Sequence, residues 1–146
     1  MKLSRTVAYA IQATLLLADA PSGAPVPCSY LASHGKMPQR FLLQILRDLV
    51  THGILQSTRG VEGGYKLGRP AREITLLDMI EAVDGPISAR LTTFDQLSDH
   101  ALTRLQQAMN SVTNTARHEL ESVTLADLLA NHRAESSSST AAPPPQ

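Results

Sequence analysis

Cysteine and aromatic residues are scarce in this chain of 146 residues, which has one cysteine, no tryptophan and 3% aromatic content. The single thiol, Cys28, excludes an intrachain disulfide framework and an all-cysteine metal site within one chain. No apolar run approaches the roughly 18 residues that a membrane span needs, and the amphipathic N-terminal stretch is unlike a signal peptide. Hydrophobic residues nevertheless make up 42% of the chain. We therefore expect a mostly helical, cytoplasmic protein of one compact domain with an appendage.

A net charge is also absent, because 13 Lys and Arg residues balance 13 Asp and Glu residues. The two halves of the chain differ, however. Residues 1–72 carry nine basic residues against three acidic ones, whereas residues 73–146 carry four against ten. Since proteins neutralise DNA phosphates locally, the basic first half favours nucleic-acid binding; ordinary surface patchiness is the alternative.

Two short helices separated by a tight turn are predicted in the basic half, after a first helix that Ser4 caps. One spans roughly residues 27–33 and is ended by Gly35; the next begins at Pro38 and runs to about His52. The predicted buried stripe of the latter comprises Phe41, Leu42, Ile45, Leu46, Leu49 and Val50. Its predicted exposed face comprises Gln39, Arg40, Leu43, Gln44 and Arg47. This pattern is typical of a helix-turn-helix whose second helix reads DNA.

A β-hairpin is predicted directly after these helices. Residues 54–58 alternate as a short strand, residues 59–64 form a glycine-rich loop, and residues 65–67 form a second strand. A hairpin that follows a recognition helix is a wing, and its glycines allow the loop to lie close to a partner. The loop is unlike a nucleotide phosphate-binding loop, because it lacks the Gly-Lys-Ser/Thr ending and precedes a strand instead of a helix.

The second half of the chain predicts a long helix that mediates association. Thr75 begins a fourth helix that ends near Gly85, and an irregular stretch follows. From about Ser98 to Glu121, apolar residues recur every three or four positions, which favours helix pairing between two subunits. Packing of this helix on its own domain is the alternative. The residues expected at the dimer interface are Leu102, Leu105, Met109, Val112 and Ala116.

These elements divide the chain into four segments. Residues 1–85 form a winged helix-turn-helix domain and residues 86–97 a linker. Residues 98–133 form the dimerisation helix and a final short helix that begins at Thr124. Residues 134–146, rich in Ser, Ala and Pro, are expected to be a disordered tail. The predicted fold class is mainly α with a small β-hairpin wing.

Four motifs resemble the Rrf2 family of winged helix-turn-helix transcriptional regulators. They are Lys-Leu-Ser with Tyr-Ala within residues 2–10, Arg-Gly-x-x-Gly-Gly-Tyr-x-Leu at 59–67, Ile-Thr-Leu-Leu-Asp-x-Ile at 74–80 and Val-Thr-Leu-Ala-Asp-Leu at 123–128. That family includes the iron–sulfur cluster regulator and the cysteine-metabolism repressor, and the resemblance extends to about residue 131. It implies that the third helix enters the major groove and the wing reaches the minor groove. It also implies a two-fold dimer, crossed by the long helices, on a pseudo-palindromic operator.

By position, the resemblance assigns DNA contacts to Gln39, Arg40 and Gln44 on the third helix and to Arg59 on the wing. Arg40 and Gln44 suit bidentate bonds to a purine edge, and an arginine on a slim glycine loop suits a narrow minor groove. Where the family often has a glutamate that sets base preference, this chain has Leu43, which can touch a thymine methyl group. The full set of expected DNA-binding residues is Lys2, Arg5, Gln39, Arg40, Leu43, Gln44, Arg47, Arg59, Gly60, Gly63, Gly64 and Tyr65.

The signal input departs from the family pattern. Cluster-binding members use three cysteines between the fourth helix and the long helix, whereas residues 86–100 contain none. Ala8 stands where some members recruit a carboxylate, and His100 alone makes no site because iron–sulfur clusters need thiolates. Cys28 is interpreted as a small buried hydrophobic residue and not as a redox-active thiol. We therefore expect no cofactor and no bound metal.

The sequence thus predicts a homodimeric, sequence-specific DNA-binding regulator, a repressor, at the bacterial nucleoid. Its input is expected to be a small-molecule effector, a protein effector or none. The alternative is a winged-helix adaptor that binds protein and has little DNA affinity of its own. Adaptors tend to lose the charge that Arg40, Arg47 and Arg59 supply here. No nucleophile–base pair or carboxylate pair is recognisable, so an enzyme is not predicted.

Overall fold

The computed structural model describes residues 2–20 and 23–139 of the chain. Its helices are α1 (Arg5–Asp19), α2 (Cys28–Gly35), α3 (Gln39–Thr51), α4 (Leu76–Asp84), α5 (Asp99–Glu121) and α6 (Leu125–Ser138). Between α3 and α4 lie β1 (Leu55–Thr58), β2 (Gly64–Leu67) and a 3-10 turn, Ala71–Glu73. The strands pair antiparallel, with Leu55 opposite Leu67 and Thr58 opposite Gly64. The predicted fold class, mainly α with a small hairpin, is confirmed.

Helix α1 packs against α2, α3, α4 and α6, and the core forms around it. It begins as predicted, because the Oγ of Ser4 accepts a hydrogen bond from the backbone N–H of Val7 at 3.1 Å. Its buried face carries the small side chains of Ala10 and Ala13, which let the neighbouring helices approach closely. The one polar residue buried among the described ranges is Thr14, whose hydroxyl donates to the carbonyl oxygen of Ile11 at 2.9 Å.

The turn between α2 and α3 differs from the prediction. Gly35 does not end α2 through a positive φ; it is buried inside the helix, and Lys36 adopts the left-handed conformation with φ 51°. A Cβ at Gly35 would lie 2.4 Å from the Cε of Met37, and its carbonyl oxygen accepts from the Nε2 of Gln12 at 2.8 Å. The absence of a side chain at Gly35 therefore leaves room for the Met37 methyl group and for Gln12 of α1, and the residue is not needed for its backbone conformation.

Helix α3 buries most of the predicted stripe. Leu42, Ile45, Leu46 and Leu49 are buried, and Val50 is half-buried. The prediction for Phe41 is wrong, because its side chain is 63% exposed. Phe41 lies in the first turn of α3 and lines a groove together with Arg5, Thr6 and Tyr9 from the beginning of α1. The apolar periodicity predicted which face of α3 is buried. It could not predict how far α1 extends over that face.

Helices α4 and α6 begin side by side with the same capping motif. The hydroxyl of Thr75 accepts from the N–H of Asp78, whose carboxylate accepts from the N–H of Thr75, both at 3.0 Å. Thr124 and Asp127 repeat this reciprocal pair at 3.2 and 2.9 Å. Thr75 and Thr124 also form an antiparallel bridge. Its two backbone bonds, from Leu76 to residue 123 and from residue 125 to residue 74, are both 2.8 Å long. The bridge joins the start of α6 to the start of α4.

The linker and α5 match the predicted bounds, but the C-terminal region does not. Residues 85–98 are irregular apart from a turn at 95–96, and Ser98 caps α5. Helix α6 is longer than predicted and continues through Ser138, so residues 134–138 are helical and the expected disorder there is wrong. Residues 140–146 of the predicted tail lie outside the described residues, as do residues 21 and 22 of the stretch predicted to end α1.

Candidate nucleic-acid interface

The outer face of α3 presents polar and basic side chains to solvent. Gln39, Arg40, Gln44 and Arg47 are all exposed, whereas Leu43 is half-buried. The Nε2 of Gln44 donates to a carboxylate oxygen of Asp48 at 3.1 Å, which orients the Gln44 amide along the helix. The polar and basic residues predicted for this face are therefore exposed from Gln39 to Arg47.

A groove of about 640 Å³ separates the C-terminal half of α3 from the hairpin. Arg47 lies on the α3 side and Arg59 on the hairpin side, and Thr51, Ser57 and Thr58 also line the groove. The two guanidinium groups provide donors that phosphate oxygens accept from, whereas the hydroxyl of Thr51 already donates to the carbonyl oxygen of Arg47 at 3.0 Å. Six of the expected DNA-binding residues line this one groove: Arg47, Arg59, Gly60, Gly63, Gly64 and Tyr65.

The glycines of the hairpin have separate structural roles. Gly60 adopts a φ of 112°, and a Cβ there would meet no atom within 4 Å. At Gly63 a Cβ would lie 2.2 Å from the carbonyl oxygen of Thr58, and at Gly64 it would lie 2.4 Å from backbone atoms of Val26. The chain at Val26 pairs with Tyr65 through two backbone hydrogen bonds of 2.8 Å. At the base of the wing, the chain at Val26 therefore lies beside β2 in the manner of a third strand. Only glycine at position 64 permits this close approach.

A second groove, of about 400 Å³, lies between the first turns of α1 and α3. It brings together Arg5 and Gln44, two of the expected DNA-binding residues, with Tyr9 and the exposed ring of Phe41. The exposure of Phe41 was not predicted, because its apolar side chain falls in the periodic stripe of α3. Its position in the first turn of α3, directly after the polar and basic residues 39–40, was the feature of the sequence that could have indicated exposure.

Lys2 is not brought to either groove. It lines a separate cavity of about 310 Å³, together with Asp84, Ile87 and Leu120, at the end of α4. The other expected residues therefore group on α1, α3 and the hairpin, and Lys2 stands apart from them.

Cys28, at the start of α2, lines the groove between α3 and the hairpin. It is half-buried and packs against the hydrophobic core. Burial raises the pKa of the Cys28 thiol, so the thiol is protonated at neutral pH and a poor nucleophile. These properties support its interpretation as a packing residue.

The seam of α5 is incompletely covered within one chain. No residue of this helix is fully buried. Leu102, Leu105 and Ala116 are half-buried, while Met109 and Val112 are 38% and 64% exposed. Adjacent exposed apolar side chains on a long helix are typical of a surface that a partner covers.

The donor groups do not fit an iron–sulfur cluster. Within residues 2–20 and 23–139, no group of three or more His, Cys, Asp or Glu side chains is placed to hold a metal ion. The only thiol, Cys28, borders the hairpin groove, whereas His100 is exposed in the first turn of α5. Clusters are held by several thiolates, so we derive no step through such a group.

Comparison with known proteins identifies relatives over most of the chain. The family model described as "Rrf2: Iron-dependent Transcriptional regulator" matches residues 3–131. An HTH-type transcriptional regulator of Mycobacterium tuberculosis is 35% identical over 130 residues, which cover 88% of this chain and 81% of that protein. These relatives are transcriptional regulators and not enzymes.

Solved structures share the fold. CymR, described as the global cysteine regulator of B. subtilis, is 25% identical with a TM-score of 0.68, over 90% of this chain and 98% of that one. IscR of T. potens is 27% identical with a TM-score of 0.69, over 90% of this chain and 88% of that one. The six helices and hairpin described above therefore correspond to an established DNA-binding fold. Among the described residues, no helix is long and apolar enough to cross a membrane.

Proposed function

Because the chain belongs to the Rrf2 family of transcriptional regulators, we propose that it binds a pseudo-palindromic operator as a homodimer and represses transcription by occupying it. The exposed face of α3 reads base edges in the major groove, principally through Arg40 and Gln44. Arg59 enters the adjacent minor groove. Each good bidentate pair contributes about 1–3 kcal/mol of discrimination between bases.

The groove that Arg47 and Arg59 line carries this proposal. A DNA strand that passes from the major groove to the minor groove must cross the space between the recognition helix and the wing. The two arginines flank that space, and Thr51 and Thr58 also line it. Phosphates in the groove would accept hydrogen bonds from both sides, which fixes the register of α3 on the bases.

Dimerisation through α5 supplies the second reading helix. The exposed side chains of Met109 and Val112 become covered when two copies of α5 cross. A closed two-fold dimer presents two identical reading heads, and these match an inverted repeat in the DNA. A winged-helix domain that reads one half-site alone would lack the affinity that a bacterial genome requires of a specific regulator.

The input signal is proposed to be a small molecule, a protein or none, and not an iron–sulfur cluster, since the described residues lack a thiolate set. The site of action is the nucleoid in the cytoplasm. The alternative function, a protein-binding adaptor, is disfavoured by the exposed Arg40, Arg47 and Arg59, because three arginines on the recognition helix and the wing match the phosphates and base edges of DNA.

The decisive experiment sequences the genomic fragments that the purified protein retains at low salt. We expect one pseudo-palindromic sequence to be enriched over the unselected pool. The logarithm of affinity should fall with the logarithm of salt concentration, with a slope of about −0.9 for each phosphate neutralised. Retention of no fragment above background would contradict DNA binding and favour the adaptor.

A further inference from the structure

The first residues of the linker are held by an ion pair that takes no part in the proposed DNA contacts. Through its Oε1 atom, Glu81 of α4 accepts hydrogen bonds from the Nη1 of Arg117 on α5 and from the backbone N–H of Ile87, at 3.0 Å. Nη1 of Arg117 also donates to the carbonyl oxygen of Ile87 at 3.3 Å. Both backbone polar groups of Ile87 are therefore engaged, one by each helix.

The surroundings of this pair distinguish it from an ordinary surface contact. The side chains of Glu81 and Arg117 are 24% and 37% exposed, whereas those of Asp19 and Arg133, which pair α1 with α6, are 53% and 59% exposed. Exposed pairs hold geometry weakly because solvent competes for both partners. Partial shielding and two additional backbone bonds make the Glu81–Arg117 contact the more directional of the two.

A second side chain of α5 attaches the linker on the same face. The Nε2 of Gln106 donates to the carbonyl oxygen of Ala89 at 3.4 Å and to the side chain of Asn110 at 2.9 Å. Gln106 and Arg117 are eleven residues apart, which places them within about 20° of each other around the helix axis. Met109 and Val112 lie about 80° and 140° from Arg117 on the same count. The linker thus covers one flank of α5 and leaves the apolar seam open.

We propose that Glu81 and Arg117 are positioning residues that fix the rotation of α5 about its own axis, and thereby the spacing of the two half-sites that the dimer reads. An irregular linker of this length does not define the orientation of the helix that follows it. The bridge between Thr75 and Thr124 fixes the position of the C-terminal end of α5, and the rotation of the helix about its axis depends on side-chain contacts such as these. In a two-fold dimer, both subunits share the same rotation of α5 relative to their DNA-binding domains. A change in that rotation therefore moves both reading helices. This proposal rests on the proposed function as a DNA-binding homodimer.

The test measures binding to DNA that carries two copies of the selected half-site at varied separations. Wild-type protein should prefer one separation. Glu81→Gln and Arg117→Gln remove the ion pair, and they should lower the affinity ratio between the best separation and its neighbours about tenfold, a change of about 1.4 kcal/mol. The preferred base sequence within each half-site should stay the same. Arg117→Lys keeps the charge and should retain most of the preference.

The matched control is Arg133→Gln, which removes an arginine–carboxylate pair from the α1–α6 contact and should leave the preferred separation unchanged. Glutamine variants that remain dimeric and keep the wild-type ratio would overturn the proposal. So would an equal loss of preference in Arg133→Gln, because the effect would then follow general stability.

A measurement without DNA separates this proposal from the proposed function. Spin labels at Gln39→Cys on α3 and Ser111→Cys on α5, in a Cys28→Ser background diluted with unlabelled protein, report the orientation of α5 within one chain. The distance distribution should broaden in Arg117→Gln. An unchanged distribution would overturn the positioning role even if DNA binding fails, and a broadened one would support it in that case.

Discussion

At the scale of single residues, Arg59 is the side chain on which the proposed minor-groove contact depends. Arg59→Ala should lower operator affinity at least about tenfold, because a contact to a base edge contributes about 1–3 kcal/mol. The far-ultraviolet circular dichroism and the sedimentation coefficient should not change. Arg104→Ala is the control, since it removes an equal charge from an exposed position on α5. An equal loss of affinity in both variants would show only a general effect of charge.

Gly64 illustrates a residue that the fold requires because of the space around it. A Cβ at this position would lie 2.4 Å from the backbone of Val26, so Gly64→Ala must displace the chain that pairs with Tyr65. We expect the free energy of unfolding in urea to fall by about 1–3 kcal/mol. Val61→Ala should leave it unchanged, because Val61 is fully exposed at the tip of the wing. A neutral Gly64→Ala would mean that the hairpin is not held against Val26 in solution.

At the scale of elements, the cap of α6 predicts a dependence on pH. The backbone N–H of Thr124, and then its hydroxyl, lower the pKa of the Asp127 carboxyl below its ordinary value. Folding therefore favours the ionised form. The stabilisation that results is complete above the ordinary pKa of an aspartate and is lost as the pH falls through the lowered pKa of the folded state.

Urea unfolding between roughly pH 5 and pH 2 tests this dependence, because aspartates titrate in that range. Asp127→Asn should show a smaller loss of stability on acidification than the wild-type protein. Asp95→Asn, in the linker, makes the same change of charge outside any helix and should follow the wild type. Identical profiles for wild type and Asp127→Asn would mean that the cap does not form.

The seam of α5 makes a prediction about assembly. Met109→Lys places a charge where the proposed interface excludes water, and an unpaired buried charge costs several kcal/mol. Sedimentation should show monomers, and operator binding should be lost with the dimer. Ser111→Lys, about 160° away around the helix, should leave both intact. A stable Met109→Lys dimer would place the interface elsewhere.

Local chemistry explains which elements the sequence could predict. Ser4, Thr75 and Thr124 each begin a helix as predicted, because a capping side chain and its N–H partner lie within a few residues. Phe41 was mispredicted because its environment depends on α1, a distant segment. Gly35 was mispredicted because Lys36, and not the glycine, adopts the left-handed conformation after α2. The expected disorder after Ala134 followed from composition, which cannot report that a helix already begun at residue 125 continues.

In the candidate site too, features that depend on neighbouring residues were predicted and features that depend on distant segments were not. Periodicity predicted the exposed face of α3, and the glycine pattern predicted the hairpin. The groove that joins Arg47 to Arg59 could not be predicted, since it depends on how the hairpin folds back toward α2. Nor could the contact between Glu81 and Arg117, whose partners are 36 residues apart in the chain.

For the whole molecule, the composition of the described residues predicts the result of an iron assay. Protein purified without oxygen, from cells supplied with iron, should be colourless and carry no stoichiometric iron or sulfide, because clusters need several thiolates. Chelator treatment should leave operator affinity unchanged. A brown preparation that loses its colour in His100→Ala would contradict this prediction and reveal a site shared between subunits.

The bridge between Thr75 and Thr124 also determines how α5 can move. It ties the chain just after α5 to the start of α4, so a tilt of α5 would use that end as its hinge. The opposite end lies about 34 Å away, since the helix has 23 residues at about 1.5 Å each. By that lever arm, a tilt of about 5° at the hinge displaces the N-terminal end of α5 by about 3 Å. Small changes near the hinge are therefore amplified where the linker meets the helix.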